Sequence, residues 1–409
     1  MILLSLLLGS LVTVLLLPTL SDLISLVTPA RTVDRARDGE VPRLLFLVPA
    51  HDEELLLGRC LWSVLAVDHP LERTRVLVVA DNCTDSTAAV ARACGVECLE
   101  RTDTRNPGKP RALAWALKQI SLDQIDGIVI LDADSLVDVG YARALPAADR
   151  LRTRVIQGYN DVSNPSESVL TRMAAVFSAV RSLGMNRVKQ RRGLTSPLGN
   201  GYCLGADVVR RMGWPAYSIC EDWELYAILT AVGVRIENRP GARVRSQEAR
   251  SLDQSASQRK RWTAGKIAVL LDRGPEIVIS RAIGLHQKVD ALGELLSPGP
   301  AVHLGVAVLI AGITLWAAPP AALILAGAAL FSLVRLSAYT IVALPHVPEP
   351  RRALRAFLVL PAYVVWRLVI QAASLPLTGS RQWIRTTRHQ EVEGGPSPAT
   401  PPLQEGRTV

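Results

Sequence analysis

Cysteine pairs of metal-binding or redox type are missing from this chain. Its six cysteines, Cys60, Cys83, Cys94, Cys98, Cys203 and Cys220, include no C-x-x-C, and Cys94 and Cys98 have no nearby histidine to complete a zinc set. Buried free thiols in a reducing compartment are the expectation. Aromatic residues are scarce, at 5% of 409 residues, and lysine nearly so, since 40 of the 46 basic residues are Arg. An arginine excess of this kind does not by itself identify phosphate recognition. The formal net charge of +9 suits anionic lipid or nucleotide phosphate, and no nucleic-acid partner is expected. The hydrophobic share of 49% excludes a disordered, collagen-like or disulfide-scaffold chain. A mean hydropathy of +0.23 alongside 20% charged residues requires that charge and apolarity be segregated along the chain.

Two stretches carry no formal charge at all. Residues 1–21 have none, and at about 1.5 Å per residue they can span a hydrocarbon layer of roughly 30 Å. Nothing basic precedes them, as a signal peptide would require, whereas Arg31, Arg35 and Arg37 follow. Residues 1–30 are therefore expected to form a transmembrane helix with its N-terminus outside and the chain beyond Arg31 in the cytoplasm. The 40 residues 295–334 also lack charge, enough for two crossings within 299–345, turning at Pro319 and Pro320. Arg335 lies in the cytoplasmic half of the returning helix, where it can snorkel. Residues 356–377 contain Pro361 and Arg367, and a third crossing would carry Arg381, Arg385 and Arg388 outside. The segment reads as an interfacial helix, with Trp366 and Trp383 at headgroup depth, or as a third transmembrane helix. Residues 390–409 are Pro/Gly/Ser-rich and expected to be disordered.

Between these lies a domain, 31–270, followed by a membrane-interface linker over 271–298. Short apolar runs at 44–50, 75–80, 96–99 and 127–134 alternate with helical patterns at 53–66, 86–94 and 110–120. This alternation predicts an α/β fold of parallel βαβ units in an open sheet. Ligands bind such sheets beyond the carboxyl ends of the strands. There the chain has Pro49-Ala50-His51-Asp52-Glu53-Glu54, then Asp81-Asn82, then Asp132-Ala133-Asp134. One acidic cluster is explained as a helix cap; three on a basic chain suggest a divalent cation and a polar ligand. Lys109, in Asn106-Pro107-Gly108-Lys109, can meet a pyrophosphate together with the local backbone amides. Further on, 154–159 reads as a strand, 166–190 as one long helix and 198–203 as a tight Gly-bearing segment. Glu221 and Asp222 open a helix, where a partly buried Asp suits a general base. Gln258-Arg259-Lys260-Arg261-Trp262 closes the domain. No G-x-G-x-x-G follows the first strand, which argues against a dinucleotide-dependent oxidoreductase.

Taken in order, P-x-H-D-E-E, the Asp81 loop, Asp132-x-Asp134, Glu221-Asp222 and Gln258-x-x-Arg261-Trp262 resemble the membrane-bound family 2 glycosyltransferases, the group of cellulose, hyaluronan and poly-N-acetylglucosamine synthases, over about residues 42–270. The resemblance implies a GT-A-like nucleotide-binding open sheet carrying N- and C-terminal transmembrane helices. It implies that Asp52, Glu54 and Asp81 hold the uridine of a UDP-sugar, that Lys109 and Asp132 meet the diphosphate, and that Asp134 with Asp132 holds Mg²⁺ or Mn²⁺. Asp222, beside Glu221, would be the base, while Gln258, Arg261 and Trp262 would cover the nucleotide and stack the acceptor sugar. The implied reaction is inverting transfer to a growing polysaccharide at the cytoplasmic face of the inner membrane, or alternatively of a single sugar to a lipid-linked acceptor. Membrane lipids would be partners, and a polymer channel would call for an oligomer or a separate exporter. The chain departs from the family pattern at His51-Asp52, Pro110 and Cys220, and it has no F-x-V-T-x-K segment.

Overall fold

A computed structural model describes residues 2–27, 39–317 and 321–374. The expectations for Arg31, Arg35 and Arg37, for the Pro319-Pro320 turn, and for Arg381, Trp383, Arg385, Arg388 and 390–409 fall outside the described residues. The domain is built on one eight-stranded sheet. Its strands are β1 (Leu44–Ala50), β2 (Thr74–Asp81), β3 (Glu97–Arg101), β4 (Gly127–Ile130), β5 (Leu136–Val137), β6 (Val155–Val162), β7 (Tyr202–Gly205) and β8 (Ile236–Ser246), in the order β3-β2-β1-β4-β7-β6-β8-β5.

The first half of the sheet is as expected: β1 pairs in parallel with β2 and with β4, and β2 with β3. Every residue of β1 is buried, because its side chains feed two cores in alternation. Leu45 and Leu47 face Ala112, Leu113 and Ala116 of the Lys109–Gln119 helix, whereas Phe46 and Val48 face Leu57, Leu61 and Val64 of the Leu57–Leu65 helix. A strand covered on both faces needs an unbroken apolar run, and LLFLVPA is one.

The second half adds antiparallel pairs to the parallel βαβ units expected of the first. β7 runs antiparallel to both β4 and β6, β8 returns parallel to β6, and β5 is antiparallel to β8, so the sheet is mixed. β7 lies partly in the segment read as a Gly-bearing turn. With four residues, all buried, it offers no alternation to read. β8 (IENRPGARVRS) was not anticipated either, because Pro240 and Gly241 interrupt it and four of its residues are charged. The stretch expected as one long helix is divided into Val169–Ala179, a π-helical turn Val180–Met185, and Asn186–Arg192.

After β8 comes a 28-residue helix, Leu252–Ile279, whose start is capped by Ser251. It packs on the Glu221–Ala231 helix at a point of close approach: a Cβ added to Gly265 would lie 2.4 Å from Cys220 Sγ. The next helix, Leu285–Leu296, rests against the N-terminal helix Ile2–Val27, and the contact is polar. Ser21 Oγ donates to Asp290 Oδ1 at 2.8 Å, and Lys189 Nζ lies 2.5 Å from Asp290 Oδ2 and 3.2 Å from Glu294 Oε1. Burial works against the Lys189 ammonium, but the two carboxylates outweigh it and hold the group charged.

Among the described residues, four helices are long and apolar enough to cross a membrane: Ile2–Ser25, Pro300–Ala317, Ala322–His346 and Pro350–Ser374. The fourth contains the described part of the segment read as interfacial or as a third crossing. It tightens into a 3₁₀ turn at Phe357–Val359, just before Pro361. Arg335 does not stand alone within its helix, since its Nε lies 2.6 Å from Asp22 Oδ2 of the N-terminal helix.

Removing one partner of a buried ion pair strands the other charge. Lys189→Ala is expected to cost about 3–5 kcal/mol, read as a lower unfolding midpoint, with most of the loss recovered in Lys189→Met/Asp290→Leu/Glu294→Gln, which removes all three charges. Gly265→Ala, which overpacks against Cys220, is expected to cost about 1–3 kcal/mol. Adding Cys220→Ala should relieve that cost, and a double-mutant cycle on the melting temperature checks the coupling.

Candidate active site

Because β2, β1 and β4 are parallel neighbours, the loops leaving their carboxyl ends share one edge of the sheet. The first two loops are laced together. Asp52 stands in the left-handed region at φ 52°, and its Oδ1 accepts from Thr84 N at 2.7 Å. Glu53 N donates to Thr87 Oγ1 at 2.8 Å, and the Glu54 carboxylate accepts from Ser86 N at 3.0 Å. His51 Nδ1 lies 2.7 Å from the Asp81 carbonyl oxygen. Asp52 and Glu54 thus fix the shape of this wall through backbone contacts.

Asp81 is 4% exposed and ion-paired with Arg101, Nη1 to Oδ1 at 2.5 Å, while its Oδ2 accepts from Gly108 N at 3.1 Å. Arg101 also donates to Asp103 and to the Asn106 carbonyl, both at 2.8 Å. The pair therefore anchors the loop that delivers Lys109 to the rim. Sequence reasoning missed Arg101; its signal is a basic residue ending β3 on an otherwise acidic edge.

Lys109 Nζ sits between two carboxylates, 2.7 Å from Asp132 Oδ1 and 2.7 Å from Glu221 Oε1. Burial alone would discharge it, but Asp132 and Glu221 hold its pKa well above the ordinary value. Asp132 is steadied from behind by Asn200, which sequence reasoning also missed as a site residue. Its Oδ1 accepts from Asp132 N at 2.9 Å, and its Nδ2 donates to Ser135 Oγ at 2.5 Å and Ser246 Oγ at 3.0 Å. The neighbouring Gly201 has φ 68°, and a Cβ there would lie 2.4 Å from Val244 Cγ2, so the turn carrying Asn200 requires glycine. Asp134, two residues on, accepts from Ser135 Oγ at 3.2 Å.

Asp222 lies in the first turn of the Glu221–Ala231 helix, and its Oδ1 accepts from Trp223 N at 2.8 Å. Burial first, and then the Glu221 charge, push its pKa up to about 7; Lys109, the Trp223 N–H and Arg181 pull the other way. A carboxyl tuned to this range can take up a proton near neutral pH. Glu224 serves the same turn differently, accepting from Tyr217 N at 2.8 Å, Ser218 N at 2.7 Å and Arg273 Nη2 at 2.8 Å.

Gln258, Arg261 and Trp262 lie on the Leu252–Ile279 helix, with Gln258 and Trp262 one turn apart. Trp262 is 37% exposed, and Arg259 Cζ stands 5.0 Å from its ring centroid. Cys220 Sγ is 3.9 and 3.8 Å from the Arg261 and Trp262 carbonyl oxygens, which brings this helix against the turn that carries Asp222.

Asp132 and Asp134 offer the all-oxygen donor set that Mg²⁺ or Mn²⁺ prefers, the remaining ligands being of the kind water and a diphosphate supply. They belong to no cluster of three ligand residues among those described. The one such cluster is His51, Asp52 and Cys83, whose ligand atoms lie within 4.8 Å of one another. That set is a poorer match to a hard cation, with a thiol that burial keeps protonated and an imidazole already engaged with Asp81.

With this geometry in view, comparison with known proteins is informative. Residues 42–265 match the family described as "Glycosyltransferase like family 2". The "Probable glycosyltransferase YdaM" of Bacillus subtilis is 24% identical over 257 residues, 60% of each chain. The "Beta-monoglucosyldiacylglycerol synthase" of Synechocystis is 24% identical over 266 residues, 62% of this chain and 54% of the relative. The chain thus spans under two thirds of the length of either curated relative. Among solved structures, the mannosyltransferase PcManGT from Pyrobaculum calidifontis, in complex with GDP-Man and Mn²⁺, superimposes with a TM-score of 0.54 at 19% identity, covering 90% of this chain and 98% of that one. The mixed open sheet has the GT-A fold. From residue 42 to residue 265, more than half its length, the chain belongs to glycosyltransferase family 2.

Proposed function

We propose that the protein transfers a sugar, with inversion, from a nucleotide-sugar donor to a hydroxyl of an acceptor held beside its apolar helices. The observation that carries this is Asp222, a half-buried carboxyl with a pKa pushed up to about 7, next to the Lys109–Glu221 pair at the end of the donor rim. An acceptor hydroxyl is a poor nucleophile, so it needs a base as the bond forms. The oxygen attacks the anomeric carbon, its proton passes to Asp222, and the bond from that carbon to the diphosphate breaks with its electron pair leaving on the phosphate oxygen. Asp132 and Asp134 would hold Mg²⁺ or Mn²⁺, which would offset the charge developing on the diphosphate. Lys109 serves the same leaving group, and Asp52, Glu54, Asp81 and Arg101 shape the pocket for the nucleoside. A UDP-sugar is the donor favoured by the sequence pattern; the complex of PcManGT with GDP-Man makes GDP-mannose the alternative to include.

The acceptor side supports a membrane-borne substrate. Lys266 of the Leu252–Ile279 helix donates to Ser297 O at 2.6 Å, just before the apolar helix Pro300–Ala317, and Thr263 lies 3.4 Å from Gln371 of the last apolar helix. One sugar moved to a lipid-linked acceptor suits this setting. Extension of a polysaccharide at the cytoplasmic face of the inner membrane is the second reading, favoured by the exposed Trp262 on the Gln258–Arg261–Trp262 helix. Trp262 can stack against a sugar ring. Product chain length separates the two.

The test is nucleotide release by the full chain in lipid nanodiscs across UDP-sugars and GDP-mannose, with and without Mn²⁺. Release is expected with one or two donors, dependent on metal, and slower by about 10²- to 10⁴-fold in Asp222→Asn. Release at the wild-type rate from Asp222→Asn would sink the assignment of the base.

The pH dependence follows from the same group. Asp222 acts when ionised, so kcat/KM should fall as pH drops through about 7. Glu221→Gln removes a charge that raises the Asp222 pKa, leaving Lys109 and Arg181 to lower it, so the acidic limb should move to lower pH. A profile whose limb stays in place in Glu221→Gln would show that another group titrates.

A further inference from the structure

Two cations beside the proposed base, Arg181 and Lys266, make no direct ion pair among the described residues. Trp223 follows Asp222, and its ring centroid lies 5.0 Å from Arg181 Cζ and 4.2 Å from Lys266 Nζ. Lys266 donates to the Ser297 carbonyl, and among the described residues neither cation makes an ion pair. Glu294, the carboxylate whose field favours the Lys266 ammonium, is taken by Lys189 at 3.2 Å. Burial lowers the Lys266 pKa to about 7, and repulsion from Arg181 and Lys189 adds to this. A cation–π contact offsets about 0.5–2 kcal/mol of the cost of holding such a charge. An anion would offset more.

Their position narrows what that anion is. Arg181 belongs to the π-helical turn Val180–Met185, a backbone irregularity that often marks functional sites. Gly184 of the same turn packs against Tyr339 of the Ala322–Ala343 helix so closely that an added Cβ would lie 2.9 Å from the ring. Lys266 reaches Ser297 at the root of the Pro300–Ala317 helix. Both cations therefore lie where the domain meets the apolar helices, beside the residue that follows Asp222.

We infer that Arg181 and Lys266 form a phosphate-binding acceptor subsite, and that the acceptor is a sugar carried on a lipid phosphate or diphosphate. This rests on the transferase reading above and specifies its acceptor. The sugar hydroxyl gives its proton to Asp222 while the lipid's phosphate, which takes no part in bond making, is held by the two cations. The phosphate thus sets which hydroxyl faces the anomeric carbon.

The test uses the full chain in phosphatidylcholine nanodiscs and two acceptors bearing the same N-acetylglucosamine or glucose: one on a polyprenyl diphosphate, the other a neutral long-chain alkyl glycoside. Transfer should favour the diphosphate acceptor. Arg181→Gln and Lys266→Gln should raise its KM by about 10- to 100-fold with a smaller effect on kcat, as expected for losing a charge-assisted contact. Lys266→Arg, which keeps the charge, should recover most of that loss; a purely structural role for Lys266 would leave both its variants alike and overturn the proposal. Equal use of the neutral glycoside, with KM unchanged in both glutamine variants, would overturn it while leaving the transferase reading intact. A rate that follows added phosphatidylglycerol while the neutral glycoside is accepted would assign the cations to bulk lipid instead, against the proposal. Absence of nucleotide release from the wild type with any donor and either acceptor would defeat the transferase reading itself.

Discussion

One ammonium group holds the catalytic edge together. Lys109 arrives from the start of a helix in the first half of the sheet, Asp132 from the end of β4, and Glu221 from a helix formed some 90 residues later in the second half; all three meet within 2.7 Å contacts. The lysine offsets the charge of Asp132 and Glu221 by direct contact with both, and Asp222 has no direct share of it. The raised pKa of Asp222 comes from burial first and then from the Glu221 charge beside it, and Lys109 draws it back down. The Asp81–Arg101 pair matters for the same reason, since it anchors the loop from which Lys109 reaches the rim.

The membrane side of the molecule depends on charges of another sort. Lys189–Asp290 and Lys189–Glu294 tie the domain to the Leu285–Leu296 helix, and Arg335–Asp22 ties two of the apolar helices to each other; most of these groups are buried. Such pairs contribute little net stability against an apolar replacement, because desolvation consumes most of the attraction. What they supply is register: a helix that slid by one turn would separate an ion from its partner in a medium that cannot solvate it. The proposed acceptor subsite, at this junction, would inherit that register.

The parts of the structure that were legible in the sequence share a local cause. β1, β2 and β4 announce themselves because a strand buried on both faces must be an unbroken apolar run, and the acidic residues that follow each run mark the rim. The helix carrying Glu221 and Asp222 begins where its paired acids indicate. β7 was not legible, because four residues cannot display a period, and β8 was hidden by Pro240-Gly241 and its arginines, which find partners such as Asp161 and Asp138 only in the folded chain. Arg101 and Asn200 escaped for a related reason. A residue that works by holding another residue has no motif of its own, and its role exists only once β3 lies beside β2 and β7 beside β4.

Glycine and cysteine at one contact explain how the donor and acceptor halves are made to act as a unit. The Leu252–Ile279 helix carries Gln258, Arg261 and Trp262 on one turn, Gly265 on the next and Lys266 immediately after it. At Gly265 the helix closes onto Cys220, whose sulfur also lies against the Arg261 and Trp262 carbonyls, and Cys220 is two residues from Asp222. Any rotation or shift of the helix is thus transmitted to the turn that holds the base, and the reverse. Under the proposed acceptor subsite, Lys266 and Trp262, four residues apart on one helix, would hold the acceptor's anionic anchor and its sugar at a spacing that the helix itself sets, so that aligning the attacking hydroxyl would need no loop movement.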